Sequence, residues 1–375
     1  MFFLLIGCLL GLPVLAAAAD EREADGLYRE QLGASGANEL WEELPTDTQA
    51  FLRDIGIDDF DVESYTALQS KAILDRIGAA FGQQAGGVVA SCGVLLGIVI
   101  LGAMAGGVRQ TLKDGGMAET FTTLCATAAC GTILLPMTEC VQKVCAAADG
   151  VNVFMLSFIP VYAAVLIAGG QATLAASYST VLLAGAEGVS ALTTGVVTPM
   201  LSVSLGISAV GALGEKTRMG TLGALLAKAA GWLLATATGL FTALFSMQSL
   251  VAASADTLGM KAARMSLVNF IPVVGGALGE TLTTVTGCLR LLRSTLGMFG
   301  ILAAAALVLP SLCRCILWAA ALALCRMAAE VLEVKPVTAL LNAAAGVVKI
   351  LIGVLAACGL FMIVTTTVVT AAGGK

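Results

Sequence analysis

The sequence predicts an all-α, polytopic transmembrane helical bundle with an internal duplication and a small helical N-terminal extracytoplasmic segment. Three observations carry this. Gly150–Ala186 runs 37 residues without a charged side chain, and similar runs recur at Ile77–Val108, Thr120–Thr138, Gly188–Gly214, Ala229–Ala255, Ser294–Cys313 and Ile350–Gly374. A bilayer core about 30 Å thick needs roughly 20 apolar helical residues, which most of these runs meet or nearly meet. Only 12% of residues are charged and mean hydropathy is +0.95, where a soluble chain carries about 25% charged residues. The third observation is that chemical and charge patterns repeat along the second half of the chain.

Residues Phe2–Ala19 form an apolar stretch closing on four alanines before Asp20-Glu21. An apolar core, small residues and then polar chain make a signal peptide. No Lys or Arg precedes the core, which leaves an uncleaved anchor open for residues 1–19. Asp20–Arg76 is hydrophilic, with 15 acidic and 5 basic residues, so it is net −10 while the rest of the chain is net +5. That asymmetry suits an exported N-terminus. Residues 20–80 are expected to form two or three short helices near the membrane surface, since apolar residues recur there at helical spacing.

Residues 81–150 read as a first transmembrane hairpin. Orientation by basic residues puts Arg109 and Lys113 in the cytoplasm, the Glu139–Asp149 linker outside, Lys216 and Arg218 inside, Asp256–Arg264 outside, and Arg290 and Arg293 inside again. Seven to ten membrane segments are expected. Glycine (43 residues) and alanine favour close helix approach, as in Gly93-x-x-x-Gly97.

Residues 151–256 and 263–372 read as two membrane repeats. Ser157-Phe158-Ile159-Pro160-Val161 matches Asn269-Phe270-Ile271-Pro272-Val273. Pro199 and Pro310 follow at closely similar distances, and Lys228 with Gly239-Leu240-Phe241 matches Lys349 with Gly359-Leu360-Phe361. Repeats of this size are typical of transporters and channels, whose paths lie at the repeat interface. Whether the copies are parallel or inverted is open at this level.

Proline removes a backbone N–H, and in lipid the freed carbonyl must find a partner or face a wet cavity. Pro160, Pro199, Pro272 and Pro310 are therefore candidate helix breaks or path-lining residues, or else kinks in a packed bundle. Glu187 and Glu280 join them, because a charge in apolar sequence either snorkels to the interface or lines a polar interior. Lys228 and Lys349 fit snorkelling.

The chain has no histidine, which removes the commonest neutral-pH base and metal ligand. The eleven cysteines contain no C-x-x-C and read as packing residues. No Walker loop, HExxH or GxSxG is present. The chain is thus not read as an enzyme. No catalytic, cofactor-binding or metal-binding residue is assigned, no cofactor is expected, and nucleic acid is not a partner.

The signal-like start, the acidic segment, Ser157–Pro160, and Asn269–Glu280 continuing into Val285-x-Gly287-Cys288-Leu289-x-Leu291-Leu292 resemble the stage III sporulation protein AE family of endospore-forming bacteria. The resemblance covers nearly the whole chain. It implies a multi-pass protein of the mother-cell membrane facing the engulfed forespore, with its N-terminal segment extracytoplasmic. The implied role is a permease or conduit component of a channel or secretion-like complex, or alternatively a non-transporting scaffold that assembles it. The implied partners are the other stage III sporulation A proteins, including a separate ATPase, together with the bilayer, and a homo-oligomer is compatible with this.

Overall fold

The computed structural model describes residues 21–57, 60, 70–111, 115–213, 219–270 and 275–372. The signal-like residues 1–19 lie outside them. Among the described residues there is no strand. Three short helices, α1 (Glu21–Ala34), α2 (Ala37–Glu42) and α3 (Thr46–Asp54), precede the long ones. These are α4 (Ser70–Thr111), α5 (Gly115–Ala168), α6 (Ala172–Leu192), α7 (Thr198–Leu213), α8 (Met219–Phe270), α9 (Gly275–Val331) and α10 (Lys335–Ala372). A π-turn, Thr193–Val197, joins α6 to α7.

Six spans in these helices are long and apolar enough to cross a membrane: Ile73–Met104, Thr123–Ala168, Ala172–Gly211, Leu222–Ala262, Gly287–Val331 and Pro336–Thr367. The chain is a multi-pass membrane protein. Among the described residues the count is six, against seven to ten segments expected for the chain, because charge-free runs that looked separate merge into single helices. Thr120–Thr138 and the first part of Gly150–Ala186 both belong to α5, which continues through Glu139–Asp149. That stretch is mid-helix rather than an external linker.

Pairwise contacts fix the helix directions. Glu139, Lys143 and Gly150 of α5 meet Arg314, Ser311 and Leu307 of α9, so these two run antiparallel. Cys130, Cys145 and Asp149 meet Ala209, Thr198 and Ser190, so α6–α7 descends beside α5. Gly231, Leu234 and Phe241 of α8 meet Ile350, Gly353 and Phe361 of α10. Those two run parallel. Helices α5, α9 and α10 form the interior, and α4 and α8 show more of their surface.

The lower end therefore holds the end of α4, the start of α5, the end of α7, the start of α8 and the turn at 332–334, and the upper end holds the turn at 169–171, the end of α8 and the start of α9. Arg293 hydrogen-bonds Gln171 at the upper end, and Asp256 caps α6 there. Arg293, and Arg290 one turn from it, thus lie at the same end as Asp256, not opposite it, because Arg293 and Asp256 bond Gln171 and Thr173, two residues apart in the chain.

The turns have local causes. α5 closes on Gly170 at φ +76°, with Gln171 N–H donating to Leu166 O and Gly170 N–H to Ile167 O. This paired 6→1 and 5→2 closure ends helices on a left-handed residue. The same closure ends α9 on Glu333, a non-glycine at φ +55°.

Helices α1–α3 pack on the upper part of the bundle. Trp41 and Phe60 meet Phe299 of α9, and Gly36 approaches Val161 of α5. Their own small core holds Leu32, Leu40, Leu44, Leu52 and Ile57. Tyr28 donates from its hydroxyl to Phe60 O at 2.7 Å, and Arg76 of α4 pairs with Asp54 at 3.1 Å.

Glycine packing differs from the motif reading. A Cβ at Gly93 or Gly97 would meet nothing within 4 Å. The close approaches are at Gly170 against Met260, Gly185 against Phe241, Gly223 against Ser204 and Ser208, and Gly300 against Phe158. The described cysteines are free thiols, buried or half-buried.

Candidate functional site

None of the described prolines breaks a helix into the interior. Pro160 lies within α5 and Pro310 within α9, and both helices continue. Both residues are exposed, as is Pro199. A proline on the outer side lets the helix bend away from its ring without opening the core. Pro272 lies outside the described residues, as does the side chain of Glu280. Glu187 is exposed on α6, and among the described residues it has no ion pair.

Pro199 acts on the turn before it. It offers no N–H to the Gly195 carbonyl, and its ring crowds that oxygen. The chain responds with the widened turn Thr193–Val197, a distortion that often marks functional positions. The Thr198 hydroxyl donates to Thr193 O at 2.8 Å, and Cys145 Sγ lies 3.0 Å from Thr198 Oγ1. With the hydroxyl proton directed at Thr193, the thiol is the donor.

Beside this turn is a cavity of ≈ 20 Å³, lined by Ala148, Val151, Asn152 and Met155 of α5, by Ala186, Val189, Ser190 and Thr193, and by Cys358 and Phe361 of α10. It has room for one water. Asn152 and Thr193 both line it, and Asn152 Oδ1 and Thr193 Oγ1 are buried without a hydrogen-bond partner. Ser190 on the rim donates to Asp149 Oδ1 at 3.5 Å. The cavity is therefore a small, mostly apolar space whose lining residues include two with unpartnered buried oxygens.

The cavity sits in a charged belt that crosses the bundle at mid-height. Arg314, 15% exposed, pairs with Glu139, 59% exposed, at 2.7 Å. Lys143 and Asp149 follow on α5, and Glu187 lies one turn from Ser190. Lys228 lies one turn below Gly231, which touches Ile350 beside Lys349. Parallel register through Cys92–Cys325 puts Gln83 and Gln84 of α4 within a turn of the Arg314 level. On α5 the belt is about 15 Å thick, and uncharged sequence flanks it above and below.

Sequence reading missed Asn152 and Thr193 because single polar residues in apolar runs look like packing. The available signal was Thr193-Thr194-Gly195 ahead of Pro199, a polar turn where the helix must loosen.

Among known proteins, the family model of stage III sporulation protein AE matches residues 60–373. The stage III sporulation protein AE of Bacillus subtilis (strain 168) is 30% identical over 148 residues, covering 40% of this chain and 37% of that relative. The aligned stretch thus spans little more than a third of the relative. No solved structure matches.

Proposed function

Because the chain belongs to the stage III sporulation protein AE family, we propose that it is an integral membrane subunit of the transenvelope channel or secretion-like complex between mother cell and forespore. In this reading it serves as a permease or conduit component, its N-terminal helices face the intermembrane space, and its partners are the other stage III sporulation A proteins, among them a separate ATPase.

The observation that carries the reading is the height of the bundle. The apolar span of α5 covers 46 residues, about 70 Å of helix against a bilayer core of about 30 Å. Only one of the two uncharged halves fits in lipid. The lower half is the one placed there, since the acidic helices α1–α3 flank the upper half at Phe299 and Val161. The charged belt then lies at the membrane–water boundary, where Lys228 and Lys349 snorkel. The upper half stands out of the bilayer with apolar side chains exposed, including Val153, Leu156, Leu240, Leu244 and Leu250. A wall of that kind is covered by neighbouring subunits.

The two repeats are read as parallel copies. Helices α8 and α10 run in one direction, and the matched residues Phe241 and Phe361 touch. The cavity at Asn152 and Thr193 lies between α10 of the second copy and the helices of the first. A path at the repeat interface would pass there.

The scaffold reading is favoured by the solid packing around the cavity, whose ≈ 20 Å³ opens no route through one chain. Two variants separate the readings in sporulating cells. Leu244→Arg should insert normally and fail to assemble, and normal assembly would contradict the subunit wall. Asn152→Leu with Thr193→Val should assemble and lose passage between the compartments if the chain is a conduit. Unchanged passage supports the scaffold.

A further inference from the structure

The seam between the parallel helices α8 and α10 sets two lysines side by side. Gly231 and Leu234 of α8 meet Ile350 and Gly353 of α10. Lys228 precedes Gly231 by three residues and Lys349 precedes Ile350 by one, so the two lysines stand within about 3 Å of the same height. A step of about 100° per residue turns both to the same side of the seam. Both are exposed, and neither forms an ion pair among the described residues. No acid is near on their own helices: α8 has none before Asp256, and α10 has none at all.

The surface around them is built like a membrane boundary. Trp232, one turn above Lys228 on the same side of α8, is 69% exposed. Tryptophan collects at the membrane–water interface, where its ring meets lipid and its N–H meets polar headgroups. Below the lysines the surface is apolar and open. Leu225 is 57% exposed, and a Cβ on Gly346, one turn below Lys349, would meet nothing within 4 Å.

We propose that Lys228 and Lys349 together hold the phosphate of one anionic diacyl phospholipid, with Trp232 beside the headgroup and the acyl chains running down past Leu225 and Gly346. Two ammonium groups on long flexible stems can reach one phosphate from two helices. A free phosphate would meet the charge but leave the apolar surface below uncovered. A zwitterionic headgroup would bring its own cation to the lysines. The lipid would bind α8 to α10 across the proposed duplication. The site rests on the placement of the belt at the membrane–water boundary.

The test is tryptophan fluorescence of the full chain in vesicles mixing phosphatidylcholine and phosphatidylglycerol, with a bromine quencher on the acyl chains of one lipid or the other. Trp232→Phe supplies the background from Trp41 and Trp318. Brominated phosphatidylglycerol should quench Trp232 with an apparent affinity about fivefold or more above brominated phosphatidylcholine. Lys228→Gln with Lys349→Gln should remove that preference, and excess inorganic phosphate should not compete. Bromines near the ester end should quench Trp232 more than bromines near the chain terminus. Stronger quenching from the terminus would overturn the belt placement and the lipid site with it. Shallow quenching that is equal for the two lipids, or a preference that survives the double lysine variant, would overturn the lipid site alone. Competition by inorganic phosphate would also overturn it, and would assign the lysines to a soluble anion.

Discussion

Phe241 of α8 and Phe361 of α10 stack with ring centroids 4.7 Å apart and planes inclined by 28°. In the proposed duplication they occupy matching places, after Lys228 and Lys349. Phe361 also lines the cavity, and Gly185 leaves the room that Phe241 fills. The stack thus couples α8 to α10 beside the cavity.

Truncating the stack should be costly. Phe361→Ala should destabilise the bundle by about 3 kcal/mol, and Phe241→Ala by less because that ring is only half-buried. A double-mutant cycle in detergent unfolding should return about 1 kcal/mol of coupling. Additive effects would mean the rings pack independently.

Glycines should divide by what they face. Gly223 receives a hydrogen bond on its carbonyl from Ser204 Oγ at 2.6 Å, and a Cβ there would lie 2.8 Å from Ser204 O. Gly223→Ala should cost about 1–3 kcal/mol and loosen α7 from α8. Gly93→Ala should leave the isolated chain unchanged or slightly more stable. Thermal unfolding of the two variants side by side checks the contrast.

Asp256 caps a helix that is not its own. Its carboxylate takes the Thr173 and Leu174 N–H groups at the start of α6. Asp256→Ala should cost about 1–2 kcal/mol, and Asp256→Asn less. Equal melting of wild type and Asp256→Ala would show the cap to be without weight.

The Glu139–Arg314 pair reports on its surroundings. Glu139→Gln leaves the mostly buried Arg314 without its partner. At a water boundary the loss should be about 1 kcal/mol, since Glu139 is largely exposed. In hydrocarbon it should reach about 3–5 kcal/mol. Arg314→Met with Glu139→Gln should recover the difference only in the second case.

The helical class was legible because charge-free runs of bilayer length have few other solutions. Glycine spacing was a poorer guide, since Gly93 and Gly97 face no neighbouring helix while Gly223 and Gly300 do. The number of spans was not legible, because Glu139, Lys143 and Asp149 look like a loop yet ride mid-helix on α5. The side of Arg293 depended on where α9 begins, which no residue pattern marks. At the candidate site, Pro199 follows the widened turn Thr193–Val197. The proline itself faces outward, and the polar atoms it exposes belong to the residues before it. Asn152 and Thr193 gain meaning only from what the fold leaves them without.

The most direct measurement is acylation of the native lysines by a water-soluble amine reagent in proteoliposomes made permeable to it, read residue by residue by mass spectrometry. With the belt at the water boundary, Lys143, Lys228 and Lys349 should react at rates within about tenfold of Lys261, which lies beyond the Asp256 cap at the upper end. If those three are silent while Lys261 reacts, the belt lies inside hydrocarbon. The upper half would then not stand clear of the membrane.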